Sequence, residues 1–417
     1  MAILYTSEKA TKFLLICWFI VFFSLTTLQW FDMMAFVSVG ILLPIFLLFF
    51  KESRNNVVNN FKQYPVLWVT MLPFFIQIYS VFYSENLQYW GETLGLRLHF
   101  VVVMLSLCLF ATFNKNLIYK FLYSIVVLTA ILVLITDVNV FLYSCSNTIR
   151  DCKGVLLTPT DHIIFTIAIA ISFFIGLYLY NSKEIIVSKY DKYILAILTA
   201  IIGISLHYIP VRSGLVGFYV GIMVLLLQKI FTSKAYKTWL IVMFGVCILP
   251  FVVYFVVPKF QQKVNLTLKE VTAFKNSGIA NGSSDGNRLL SWKIAIDLWE
   301  KEPILGIGAG DIRDEVFKVY EQKYPEVETK IVPHSMWFIM LLGGGIIGLV
   351  LFTIWVFVPL IKLKLYNSTL YLPIWAVTFM AMLPNVTLQV NSGSSLVSIM
   401  LGLCTFVAIK LEQHKIN

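Results

Sequence analysis

The segment HSMWFIMLLGGGIIGLVLFTIWVFVPLI, residues 334–361, decides the class of fold. It holds no charged side chain, and about 20 consecutive apolar residues are enough to cross a bilayer. A continuous helix over it would be about 42 Å long at 1.5 Å per residue, against a hydrocarbon core near 30 Å. Its first turn or two is therefore expected to project above the lipid. That places His334, between Pro333 and Ser335, at a water–membrane boundary with a polar stretch preceding it. Gly344 and Gly348 have the GxxxG spacing, whose ordinary meaning is close packing between helices.

The rest of the chain has the same character. Apolar residues make up 59% of its 417 residues and charged ones 13%, where a water-soluble domain carries about a quarter. The expectation is an all-α polytopic integral membrane protein embedded in a lipid bilayer. Twelve candidate spans can be counted, at 13–31, 33–50, 65–83, 98–113, 121–143, 161–180, 193–209, 213–228, 238–257, 334–361, 369–387 and 394–409. Only Gln29 and Asp32 interrupt the run between the first two. The spans group as six N-terminal helices in 1–192, three more in 193–257, a long polar loop with short helices at 258–333, and three C-terminal helices in 334–417. Glu8, Lys9 and Lys12 precede the first apolar run with no small-residue cleavage site after it, so that helix is expected to stay as an anchor.

A net charge of +10 often signals nucleic acid. In a membrane chain it reflects cytoplasmic loop charge instead, and no nucleic acid is expected as a partner. One set of short loops, with both termini, holds many lysines and Arg54; the opposite short loops hold only Arg97, Arg150, Lys153 and Arg212. Both termini are therefore expected in the cytoplasm and the 258–333 loop outside. On that topology Arg97, Arg150, Arg212, Arg288 and Arg313 all face outward. Lysine suffices to set topology, whereas the planar guanidinium fork binds phosphate or carboxylate bidentately, so the asymmetry points to an anionic ligand on the outer side. His99, His162, His207 and His334 also lie near outer helix ends. Cys17, Cys108, Cys247 and Cys404 sit inside apolar runs as small core residues, while Cys145 and Cys152 share a polar loop and could form a disulfide if it faces an oxidising compartment.

In the long loop, 259–276 reads as an amphipathic surface helix with Phe260, Val264, Leu268, Val271 and Phe274 on one side. Residues 281–286 read as a flexible turn. A helix is expected from Asn287 as its N-cap, with Arg288, Trp292, Ala295 and Trp299 on one face and Pro303 ending it. Arg288 then falls in the first turn, where free N–H groups and a guanidinium can converge on a phosphate. Gly306, Gly308 and Gly310 fit no nucleotide motif and read as a turn permitting close backbone approach. A short polar helix is expected over 311–323.

Three pieces then resemble the O-antigen ligase and polymerase superfamily of bacterial membrane proteins. They are Val211-Arg212-Ser213-Gly214; Arg288, Trp292 and Ala295 followed by Pro303 to Gly310; and His334-Ser335 followed by Gly345 and Gly348. The resemblance covers about residues 195–360. Val216 stands where that family commonly has leucine, and Ser335 where it more often has asparagine.

The resemblance implies a metal-independent glycosyltransferase without a cofactor. Its donor would be an undecaprenyl-pyrophosphate-linked glycan on the outer face of the bacterial inner membrane. The residue types suit that chemistry. Arginines neutralise a diphosphate leaving group, and a histidine with an ordinary pKa near 6.5 suits a general base. Arg212 and Arg288 are thus expected to bind the pyrophosphate and His334 to deprotonate the acceptor hydroxyl, with inversion at the anomeric carbon. His207 is a reserve candidate for the base, and Trp292, Arg313 and Ser335 are supporting candidates. The acceptor separates a ligase (lipid A-core) from a polymerase (another lipid-linked glycan) and a protein O-oligosaccharyltransferase, and the histidine–glycine pattern favours the ligase. A lipid-linked glycan flippase is the alternative of another class. It predicts ionisable residues near helix centres, where Asp137 is the main candidate carboxylate.

Overall fold

The computed structural model describes residues 16, 19, 22, 23, 27, 51–109, 115–142, 158–182, 189–209, 211–256, 258–277 and 283–412. The expected spans 13–31 and 33–50 fall almost wholly outside these, as do Cys145, Arg150, Cys152 and Lys153. All regular structure among the described residues is helical. In chain order the helices are α1 (Lys51–Gln63), α2 (Leu72–Tyr79, continuing the 3-10 segment Pro65–Met71), α3 (Leu87–Cys108), α4 (Lys115–Leu142), α5 (His162–Asn181), α6 (Lys189–Tyr208) and α7 (Arg212–Thr232). They continue with α8 (Tyr236–Val256), α9 (Pro258–Ser277), α10 (Ser284–Trp299), α11 (Ile312–Lys323), α12 (Met336–Lys362), α13 (Tyr371–Met382) and α14 (Asn391–Val407).

Among the described residues, 8 segments are long and apolar enough to cross a membrane. Of the other expected spans, 238–257 coincides with the 21-residue helix α8, and 369–387 contributes the shorter apolar helix Tyr371–Met382. The expected 98–113 span begins earlier, at Leu87. The centre of the bundle is α14, where 94% of the apolar window is buried. On the outside, α8 leaves Ile241, Phe244, Phe251 and Phe255 exposed, a surface suited to lipid rather than water.

Two apolar cores organise the chain. The larger joins α4, α5, α6, α13 and α14. The smaller packs Leu290, Ile294 and Leu298 of α10 and Val316 and Tyr320 of α11 against Met336, Ile339 and Met340 of α12. The polar segment is thus docked on the first half of α12.

That helix is not the continuous rod expected from its sequence. At Gly345, φ is 60° and ψ is −158°, a backbone region open almost only to glycine. The bend is sharp: a Cβ on Gly348 would lie 2.8 Å from the Met340 carbonyl oxygen, whereas eight residues of straight helix span about 12 Å. Residues 303–307 enter the break. Ile346 N–H donates to the Pro303 carbonyl at 2.9 Å, and Ile307 N–H donates to the Leu342 carbonyl at 2.9 Å. The Tyr79 hydroxyl donates to the Gly344 carbonyl at 2.6 Å. Gly306, with φ 72°, permits the approach, since any Cβ there would collide with the Leu342 carbonyl and the Gly345 amide. The two glycine motifs are therefore partners in one device. Gly344 and Gly348 face the Tyr79 hydroxyl and the bend itself, which revises their reading as a helix-packing GxxxG.

Candidate active site

The site forms where α7, α9 and α10 meet. α10 begins at Ser284, earlier than expected, because Ser283 rather than Asn287 is its N-cap and accepts the Gly286 N–H at 3.1 Å. This puts Asp285 in the first turn, where an acid is favoured by the helix dipole, and moves Arg288 into the second.

Arg212, the first residue of α7, holds the Asp285 carboxylate through both terminal nitrogens, at 2.7 Å and 2.9 Å. It also donates to the Thr267 hydroxyl on α9. Arg288 Nη1 lies 3.8 Å from the same carboxylate. The Asp285 N–H donates to Glu270 of α9 at 3.0 Å. Two guanidinium groups thus share one carboxylate, Arg212 in the bidentate geometry that also suits phosphate and Arg288 through a longer ion pair. The cluster is semi-enclosed: side-chain exposures are 39% for Arg212, 13% for Asp285 and 20% for Arg288.

His334 is tied to the same helix. Its backbone N–H donates to the Ser291 hydroxyl oxygen at 3.3 Å, and that hydroxyl donates to the Arg288 backbone carbonyl at 2.7 Å. The ring is half-buried, with Nδ1 3.3 Å from the Val332 carbonyl oxygen. A carbonyl there favours the tautomer protonated on Nδ1, leaving the basic lone pair on Nε2. Ser335 is buried at the head of α12. Trp292 stacks on Phe338 with ring centres 5.6 Å apart, and its Nε1 is buried without a hydrogen-bond partner.

The other two candidates lie apart. His207 uses Nδ1 with the Gly203 carbonyl and Nε2 with the Tyr219 hydroxyl, each at 2.9 Å, a structural arrangement joining α6 to α7. Arg313 is exposed on α11, its guanidinium 5.6 Å from the Phe317 ring centre. Asp137 accepts a hydrogen bond from Ser205. Among the described residues no group of three or more His, Cys, Asp or Glu side chains could hold a metal ion.

Asp285, Glu270, Thr267 and Ser291 were not anticipated as site residues. The signal for Asp285 was present in Ser283-Ser284-Asp285, a cap followed by an acid ahead of a helical run. Reading 281–286 as a flexible turn hid it. Glu270 and Thr267 carry no local signal, because only the docking of α9 brings them in.

Residues 197–353 match the family model described as O-antigen ligase. The matched stretch contains every member of the Arg212–Asp285–Arg288–His334 cluster. No curated protein matches the chain. Over that segment the chain is similar to the O-antigen ligase family of membrane proteins, and the likeness carries the reading that follows.

Proposed function

We propose that the protein is an O-antigen ligase. It moves a glycan from an undecaprenyl-diphosphate-linked donor to a hydroxyl of lipid A-core, on the outer face of the bacterial inner membrane. The observation that carries this reading is that the Arg212–Asp285–Arg288 cluster sits at the head of α10, the helix to which the His334 backbone is tied through the Ser291 hydroxyl.

The acceptor oxygen attacks the anomeric carbon as its proton passes to His334 Nε2. The bond from that carbon to the diphosphate oxygen breaks, and its electron pair leaves with undecaprenyl diphosphate. A single displacement inverts the anomeric centre. Arg212 and Arg288 take up the charge that develops on the leaving group, in a half-enclosed setting where charge-assisted bonds are stronger than in water. Asp285 holds both guanidinium groups oriented before the donor arrives, and the more highly charged diphosphate competes with it for them.

The test uses protein purified in detergent with a lipid-linked glycan donor and lipid A-core acceptor. Wild-type protein transfers glycan without a sealed membrane, a result a flippase cannot give. His334→Ala and Arg288→Ala each lose transfer by about a hundredfold or more. Full activity in both variants overturns the assignment. Mass analysis of surface glycans after deletion separates the acceptors. Lipid-linked polymer accumulating behind bare core identifies a ligase, and single repeat units on core identify a polymerase.

A further inference from the structure

Arg97 takes no part in this cluster, yet it heads the largest fully buried side chains among the described residues. It stands ten residues into α3, about 15 Å from that helix's first residue. Nη1 donates to the Leu388 carbonyl and lies 3.4 Å from Ser394 Oγ, whereas Nε and Nη2 are buried with no hydrogen-bond partner. No carboxylate among the described residues forms an ion pair with it. A guanidinium enclosed without a counter-charge is costly, so the contact it makes has to offset a large penalty.

That contact is with the turn 383–390, which joins α13 to α14 through the 3-10 segment Thr387–Gln389. The Leu388 carbonyl has no helical partner there, and Arg97 and the Ser394 hydroxyl both donate to it. Gly393 lets the turn lie on the start of α14, because a Cβ at that position would collide with the Thr387 carbonyl.

From the same turn, the buried Asn385 side chain donates to Ser213 Oγ at 3.1 Å and to the Ala381 carbonyl at 3.0 Å. Ser213 follows Arg212 directly in the first turn of α7. On the other side Gly214 is pressed against Thr166 of α5, so closely that a Cβ would not fit. The head of α7 is therefore clamped between α5 and the turn that Arg97 holds.

We propose that Arg97 is a positioning residue for the transfer reaction. It fixes the turn 383–390, the turn fixes Asn385, and Asn385 holds the head of α7 so that Arg212 points at the α10 cluster. This rests on reading Arg212 as a ligand of the donor diphosphate. A displacement of about 1 Å at a reacting group costs up to about a hundredfold, which sets the size of the expected effect.

The experiment uses the full chain in detergent, with the undecaprenyl-diphosphate-linked glycan varied as substrate. Arg97→Gln and Asn385→Ala raise the donor KM by about ten- to a hundredfold and change kcat less, and Arg97→Lys recovers part of the loss. On an Arg212→Ala background, Asn385→Ala adds less than about twofold, because the contact acts through that arginine. Additive losses, or an unchanged donor KM in Asn385→Ala, overturn the proposal. Hydrogen exchange across 211–216 tests the mechanical link independently of what Arg212 binds. Asn385→Ala and Arg97→Gln speed exchange there, and unchanged exchange in both overturns the link. If exchange responds while Arg212→Ala keeps its donor KM, the link stands and the ligand assignment for Arg212 falls. Should Arg97→Gln not fold, Asn385→Ala carries both measurements.

Discussion

At Gly345 and at the turn 383–390 helical backbone stops inside the bundle, and the freed polar groups are met by opposite means. The Gly345 break is repaired by neutral groups, namely the backbone of Pro303 and Ile307 and the hydroxyl of Tyr79. The 383–390 turn is repaired by side chains, among them a buried cation. Backbone repair demands shape: it works only where glycine lets two main chains touch. Side-chain repair demands a donor of the right reach, and it carries a charge into the interior. The first joins the α10–α11 segment and His334 into one body. The second reaches Ser213, the neighbour of Arg212, through Asn385.

The largest effect is expected where shape is the requirement. Gly345→Ala places a Cβ against the Ile304 carbonyl at a φ of 60°, and backbone strain of this kind alone costs about 1–3 kcal/mol. With the collision added, little monodisperse protein should be recovered by size-exclusion chromatography in detergent. Normal recovery would show that the break can be remade without its glycine.

Asp285→Asn should come next. It removes the charge that Arg212 and Arg288 share, and about 1–2 kcal/mol of stability is expected to go with it, a modest figure because Arg212 is 39% exposed. The melting temperature falls while, on the proposed function, the donor KM also falls, since a diphosphate donor would no longer compete with a carboxylate. A raised KM would make Asp285 a substrate-binding group instead.

Tyr79→Phe is the smallest. It deletes one hydrogen bond to the Gly344 carbonyl, for about 1 kcal/mol seen as a small drop in melting temperature. A loss as large as that of Gly345→Ala would mean that the hydroxyl, not the backbone pairing, holds the break.

Much of the fold could be read in the sequence, because a long apolar run leaves few alternatives. The helices around 115–142, 162–181 and 212–232 fall close to expectation. Arg212 and His334 stood out as polar groups at the ends of apolar runs, and Arg288 as a cation at the start of an expected helix; the structure brings Arg212 and Arg288 to one carboxylate. What escaped was what arises between segments. Nothing near residue 345 announces a break, since a helix through three glycines is permitted until residues 303–307 claim the space. Arg97 read as an outward-facing loop charge beside an apolar run, and only the packing of α3 against α14 makes it internal. The cap of α10 was missed by four residues, which was enough to leave out the carboxylate at the centre of the site.

The bend at Gly345 also sets how much of α12 can cross the bilayer. The straight part, 346–362, is about 25 Å long, shorter than a hydrocarbon core near 30 Å. A short rod of this kind is accommodated by local thinning of the bilayer, by snorkelling of flanking side chains or by association with another copy. If the bilayer thins to match it, acyl-chain length becomes a variable of the reaction, and the enzyme should turn over faster in vesicles of shorter-chain lipid than in thick ones.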